Sequence, residues 1–282
     1  MYTNPTRANP VGIPVQAKTW MLTAGLASVS VLPAQWLNYP TAGVPKKPDG
    51  SRNLAAPAPR TRDGKPDLSG IWAPDRRSPL NESLEGQLNA TGPFWDFGSV
   101  VPGGLPYQPW AAELRNQRFQ DRSKDNPDVH CLPLGILQMD THPFPRRFIQ
   151  APAYLAILHE RDMEYRQIFT DGRPLPTDPQ PAWNGYSTGK WVGDTLVVET
   201  IGFRDGLWAD YSGSPLTSAA KITERFRRPT FGSMEIEITV DDSKAYTKPW
   251  TVKLDLVFQF DTDLLEYVCL EGEKDASHMV GK

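Results

Sequence analysis

Trp183–Thr200, WNGYSTGKWVGDTLVVET, holds two patterns that compete. Gly185-Tyr186-Ser187-Thr188-Gly189 spells the G-x-S-x-G nucleophile elbow. An elbow needs a strand, a sharp turn and then a helix, whose first turn helps to build the oxyanion hole. Here the motif leads instead into a Gly193-Asp194 turn and the β-branched run Thr195–Thr200, with no helical period. The stretch therefore predicts a strand pair, and Ser187 is expected to be a glycine-flanked strand residue rather than a nucleophile.

The same period of two runs outward in both directions. Tyr154–Glu160 and Tyr165–Phe169 alternate, and Leu196 and Val198 share a face opposite Thr195 and Glu199. Ile222, Glu224 and Phe226 face one way, with Thr223, Arg225 and Arg227 facing the other. Met234, Ile236, Ile238 and Val240 alternate with Glu235, Glu237 and Thr239. Val252, Leu254, Leu256, Phe258 and Phe260 form the longest apolar face, and Leu265, Tyr267 and Cys269 are expected to end the series. That makes about eight or nine strands. Short links such as Glu160-Arg161-Asp162 and Asp261-Thr262-Asp263 favour antiparallel neighbours. Eight or more meandering strands with one apolar face each bury that face by closing on themselves. The predicted fold is mainly β, an antiparallel up-and-down, lipocalin-like barrel over 147–275. A barrel of about eight strands has room for one small ligand.

The rest of the chain reads differently. Arg7 and Lys18 precede an apolar run from Trp20 to Leu32, which predicts a signal peptide over 1–35, since about 13 apolar residues cannot span a bilayer. Residues 36–66, proline-rich and aperiodic, are expected to be a disordered linker. Residues 67–146 read as an irregular wrap with one helix near 109–120, and 276–282 as a tail. The 28 prolines fall mostly before residue 182, which fits a loop-rich front half. A net charge of −3, with no basic cluster among aromatics, argues against nucleic-acid binding. The expected location is periplasmic or secreted, with no stable membrane span once the signal is removed. In that compartment Cys131 and Cys269 either form a disulfide or remain two buried thiols that never meet.

Several motifs together resemble a large, functionally uncharacterised family of exported soil-bacterial proteins. They are Asp67-Leu68-Ser69-Gly70-Ile71-Trp72, Cys131-Leu132-Pro133, FTDGR at 169–173, GDTLVVET at 193–200, TERFRR at 223–228 and AYTKPW at 245–250. The resemblance runs from about Asp67 to the end and implies export, but no activity. Members often carry histidine where this chain has Leu175 and Tyr186, so no shared histidine mechanism is expected. A shorter likeness is to lipocalins and other calycins. Gly70-x-Trp72 is similar to their opening G-x-W, whose tryptophan closes one barrel end, and Gly189-x-Trp191 repeats it.

Candidate chemistry centres on Glu224, which the alternation assigns to the interior, where an unpaired carboxylate is costly. It is expected either to pair with an arginine reaching in from the wrap or a neighbouring strand, or to serve as an acid–base group. His159 shares the inward face of Leu155 and Ile157, while Asp171 and Asp178 supply further carboxylates. Trp183, Tyr186, Trp208, Asp210 and Tyr211 are candidate ligand contacts at the barrel rim. His130, His142, His159 and His278 lack metal-site spacing, so no metal is expected. Gly103-Gly104 is a proline-flanked turn and not a phosphate cradle, and no cofactor is expected. Three functions are compatible with these residues: an exported barrel binding a small apolar or aromatic molecule, a cofactor-independent isomerase, hydratase or lyase on the same scaffold, and a structural envelope protein with a filled core.

Overall fold

The computed structural model describes residues 40–75 and 96–272; the expected signal peptide and tail, with His278, lie outside the described residues. The strands are β1 Gly70–Pro74, β2 Arg146–Ala151, β3 Tyr154–His159, β4 Tyr165–Phe169, β5 Tyr186–Val192, β6 Thr195–Ile201, β7 Leu207–Trp208, β8 Pro215–Leu216, β9 Lys221–Arg227, β10 Ser233–Asp241 and β11 Trp250–Phe258. Nine of them close a barrel in the order β1-β11-β10-β9-β6-β5-β4-β3-β2, and β7 and β8 form a separate two-stranded ribbon. The expected mainly β barrel is what the chain forms.

Three features depart from the expected meander. Strands β4 and β5 pair in parallel, Ile168 with Ser187 and Phe169 with Thr188, whereas every other pair in the barrel is antiparallel. Residues 170–185 between them hold Pro174, Pro176, Pro179 and Pro181, and form a long crossover that lets the chain return in the same direction. Second, the stretch read as wrap contributes a barrel strand: β1 pairs with both β11 and β2 and closes the ring. Third, Leu265, Tyr267 and Cys269 form no strand. Tyr267 makes a single bridge to Arg161, and Cys269 begins a short helical turn. Closure by β1 leaves no open edge for another strand.

Alternation fixes which side chains enter. In β9, Ile222, Glu224 and Phe226 are buried while Arg225 and Arg227 are exposed; in β10, Met234, Ile236, Ile238 and Val240 are buried. Outside, Arg225 and Lys253 lie within 3.9 and 3.8 Å of Glu237, and Arg227 within 3.8 Å of Glu235, across neighbouring strands. Each such exposed pair adds little stability, but together they mark the solvent side of the sheet and so hold its register.

One barrel end is closed by Trp72, whose indole donates to the Leu68 carbonyl at 3.0 Å and meets the Phe258 ring edge-on at 5.0 Å. Arg228 lies 4.8 Å over the Trp72 ring and donates to the carbonyls of Asp67 and Phe231. Gly70 has φ +133, and a Cβ there would collide with the Phe258 ring, which is why β1 starts on glycine. The stretch expected as a linker is described from residue 40. Its backbone accepts from Phe231 at 2.7 Å and from Gly232 at 3.0 Å, and Arg60 pairs with Asp194.

The opposite end is covered by the front half: α1 Phe97–Val100, α2 Pro109–Gln120, a 3-10 turn at Pro127–His130, and α3 Ile136–Thr141. Phe97 packs on Trp250 at 5.3 Å, Tyr107 on Tyr246 at 5.6 Å, and the Tyr246 hydroxyl donates to Pro215 in the ribbon. All six residues of α3 are buried, so this short helix stops that end of the barrel. Cys131 and Cys269 are joined in a disulfide with their Cα atoms 5.5 Å apart, tying the chain before α3 to the segment after β11.

Candidate functional site

Beneath α3 the inward positions turn from apolar to polar. Arg146 opens β2, His159 ends β3, and Arg166 precedes Ile168 on the inward face of β4. Ser187, Thr200 and Glu224 come from β5, β6 and β9 by the alternation that elsewhere sends in Gly189, Val198 and Ile222. Six strands thus place one charged or polar side chain each at one level of the barrel.

Glu224 is wholly buried and forms a two-pronged ion pair with Arg166, Nη1 donating to Oε1 at 2.8 Å and Nη2 to Oε2. Arg166 Nη2 also donates to Ser187 Oγ at 3.2 Å and Thr200 Oγ1 at 3.1 Å, and those two hydroxyls are 2.9 Å apart. Strands β4 and β9 are not neighbours, so the pair spans the interior, with β5 and β6 between. Ser187 is 2% exposed and sits in an unbroken strand, bound to an arginine rather than to a base. That arrangement does not activate a serine.

A second ion pair lies beside the first. Arg146, 0% exposed, donates from Nη1 to Asp140 Oδ1 at 3.0 Å and from Nη2 to the Asp140 carbonyl at 2.7 Å. Asp140 belongs to α3, so the helix that stops the barrel also lowers a carboxyl into its polar level. Burial, and then the neighbouring Glu224 carboxylate, push Asp140 up to about 7, against the pull of Arg146 and Arg166. His159 is held well below the ordinary histidine value by burial and by Arg146 and Arg166. His142 is lowered to about 3 by burial and by Arg161 and Arg146. Both rings are neutral at physiological pH. Arg146 Nε, Arg166 Nε and His142 Nδ1 are buried and have no hydrogen-bond partner among the described residues. Chemically the level offers two fixed cations, one carboxylate paired across the barrel, one carboxyl poised near neutrality and two uncharged imidazoles.

The other expected residues lie elsewhere. Asp171 is exposed, held below the usual carboxylate range by hydrogen bonds from Arg173, and Asp178 is exposed. Of the expected acid–base set, then, only Glu224 and His159 share the interior. Tyr186 points outward and stacks on Phe169 at 5.4 Å. Trp183 is covered by Arg204 at 4.2 Å. Trp208, Asp210 and Tyr211 are buried under the front half. Arg118 of α2 lies 4.2 Å over Trp208; Asp210 accepts from Phe97 N and from Ser214, and Tyr211 donates to Asp128. A cavity of about 340 Å³ lies outside the barrel between α1 and α2. Its polar walls are already paired, Arg115 with Asp96 at 3.1 Å and Tyr107 with Ser214 at 2.7 Å.

No family model matches the sequence, and no curated protein matches it. The site therefore stands on its own geometry. Among the described residues, no three His, Cys, Asp or Glu side chains converge as metal ligands would. Four residues of the level, Arg146, Arg166, Thr200 and Asp140, escape the sequence reading, and two of them show why. Arg166 alternates with Ile168 and was within reach of the period-two argument, whereas Asp140 sits in a six-residue helix buried on every side, which has no period to read.

Proposed function

We propose that this protein is an exported barrel that binds a small, largely apolar or aromatic molecule inside the barrel, with the molecule's polar end at the Arg146–Arg166–Glu224 level. The observation that carries the reading is the polar level itself. Buried polar groups in folded proteins are almost always satisfied, and four at this level, the Nε atoms of Arg146 and Arg166, Nδ1 of His142 and Oδ2 of Asp140, have no hydrogen-bond partner among the described residues. An interior meant only to be filled is more stable with apolar side chains at these positions than with ion pairs. The buried inward residues of β10 and β11 make the interior beside that level apolar. The Cys131–Cys269 disulfide fits the exported location, because disulfides persist in oxidising compartments. The motif resemblance to exported soil-bacterial proteins supports it as well.

The test is native mass spectrometry on the protein purified from its host. A stoichiometric small molecule is expected; a protein that carries none, and takes up none from a panel of aromatic and apolar compounds, refutes the reading and leaves the structural one. A second reading, an acid–base isomerase, hydratase or lyase, is favoured by the Asp140 carboxyl lying near 7 beside Glu224, since a carboxyl held near neutrality can give and take a proton at working pH. Loss of turnover with retained binding in Glu224→Gln selects that reading.

A further inference from the structure

We propose that Asp140 is a built-in occupant of an anion site in the barrel, and that the ligand is a small organic acid whose carboxylate replaces the Asp140 carboxylate as the α3 segment moves aside. This rests on the reading that the barrel binds a small molecule, and names the ligand's chemical class.

The geometry begins with charge. Two guanidinium groups, Arg146 and Arg166, are buried at one level, and among the described residues the carboxylate supplied there by the barrel wall is Glu224 alone. Glu224 is committed to Arg166 through both oxygens. Arg146 has no acidic partner on the described wall. Its carboxylate comes from the stopper helix, and the rest of its hydrogen bonds go to the carbonyls of Asp140 and His142 in the same segment. Lift residues 136–142 away and the barrel retains an unpaired, fully buried cation. Such a cation binds an anion or destabilises the fold.

Asp140 is also a poor permanent partner. Burial, and then the charge of the adjacent Glu224 carboxylate and a hydrogen bond to it, hold it near 7. A guanidinium favours a carboxylate through paired N–H donors, yet Asp140 engages Arg146 through one side-chain oxygen only, and Arg146 Nε has no partner among the described residues. A free carboxylate, not tethered to a helix backbone, can use Nε and Nη2 together once the carbonyls of Asp140 and His142 have left Nη2. The segment bearing Asp140 is fastened at its two ends, by the Cys131 disulfide and by β2, so it can leave the barrel mouth without losing its place.

The competition has a pH signature. The groups around Asp140 are Arg146 of β2, His159 of β3, Arg166 of β4, Glu224 of β9 and His142 just after α3. His142 and His159 stay neutral above pH 6, whereas Asp140, held near 7, changes state between pH 6 and 8.5. Once protonated it no longer competes for Arg146. If the protonated form alone admits the ligand, a midpoint of about 7 makes binding about 30-fold tighter at pH 6 than at pH 8.5.

The experiment titrates the full-length, disulfide-bonded protein with benzoate, phenylacetate and the neutral benzyl alcohol, by calorimetry at pH 6 and pH 8.5. The expected result is that both acids bind, more tightly at pH 6, while the alcohol is at least tenfold weaker. Asp140→Asn, which keeps the shape and removes the charge, is expected to bind benzoate at least tenfold more tightly than wild type at pH 8.5, with the pH dependence gone. Hydrogen exchange in 136–141 of the wild type, which needs no variant to fold, is expected to quicken when benzoate is bound. Equal binding of acid and alcohol overturns the proposal, as does acid binding that is independent of pH in the wild type. If native mass spectrometry finds a neutral ligand, the small-molecule reading stands and this inference fails. If no probe binds either form and no ligand is found, both fail together.

Discussion

Removing Glu224 should expose how much of the fold depends on balanced charge in the interior. Glu224→Ala leaves Arg166 buried, with two weak hydroxyl acceptors, Ser187 and Thr200, in place of a carboxylate. Breaking one partner out of a buried pair costs about 3–5 kcal/mol, because the other charge stays where water cannot reach it. A cavity the size of the lost side chain adds to that cost, whereas relief of the repulsion on Asp140 offsets part of it. The expected loss is therefore about 3–4 kcal/mol. The double variant Arg166→Met with Glu224→Leu removes both charges and keeps most of the volume, and should lie within about 1 kcal/mol of wild type or above it. Guanidinium chloride unfolding at pH 7.5, with the disulfide intact and the m-value unchanged, measures both. A loss below about 1 kcal/mol in Glu224→Ala would mean that Arg166 reaches solvent once its partner is gone, and the placement of these strands would then be wrong. A double variant as damaged as the single one would show that the ion pair itself, and not the stranded charge, holds the barrel together.

Replacing Cys131 and Cys269 by serine opens a loop with a sequence separation of 138 residues, and the chain-entropy argument gives a loss of about 5 kcal/mol, read from denaturant midpoints of the oxidised protein against the double variant. Thermal stability between pH 6.5 and 8 should fall as pH rises: Asp140 and Glu164, raised to about 7 chiefly by burial, keep protons in the folded state that the unfolded chain has already lost, while His142 and His159 act in the opposite direction only as the unfolded histidines titrate. Asp140→Asn should remove a large share of that slope, and a slope unchanged by it would place Asp140 in contact with water. Gly70→Ala drives a Cβ into the Phe258 ring at φ +133, and should cost about 1–3 kcal/mol by thermal unfolding, with a near-neutral result showing that β1 is not where the barrel closes.

The strands most legible in the sequence were β9, β10 and β11, because each sets charges on one face and large apolar residues on the other, leaving one register that buries the core. Glu224 was found by that same logic, as the one charge on an apolar face, and the expected arginine partner is present. Its arginine comes from across the barrel rather than from the wrap or a neighbouring strand, which alternation alone could not say. The parallel β4–β5 pair was not legible, since strand direction depends on where the 170–185 crossover lands and not on any residue within the strands. Nor was β1, five residues long with Ile71 and Trp72 buried in succession, which breaks the period. The rim aromatics illustrate a different limit. Trp208 and Tyr211 have the composition of an exposed binding loop, but the front half of the chain buries them, and only tertiary packing decides that.

Asp140 raises a question that stability alone does not answer. A buried carboxyl with a midpoint near 7, set beside another carboxylate, is a costly partner for a buried guanidinium. Asp210 shows the contrast: it too is fully buried and raised to about 6, but it accepts from Phe97 N, from Ser214 N at 3.0 Å and from Ser214 Oγ at 2.7 Å, and so anchors the front half to the ribbon. The Asp140 carboxyl accepts from Arg146, which has no other acidic partner on the described barrel wall. A residue that is costly in place, and that supplies what the site would otherwise lack, fits a contact made to be exchanged. The purely structural alternative makes the opposite forecast for one substitution. If Asp140 only holds α3 in place, Asp140→Asn destabilises the protein and loosens the stopper without creating any preference for anions; if Asp140 occupies a ligand's position, the same variant gains affinity for carboxylates over their alcohols.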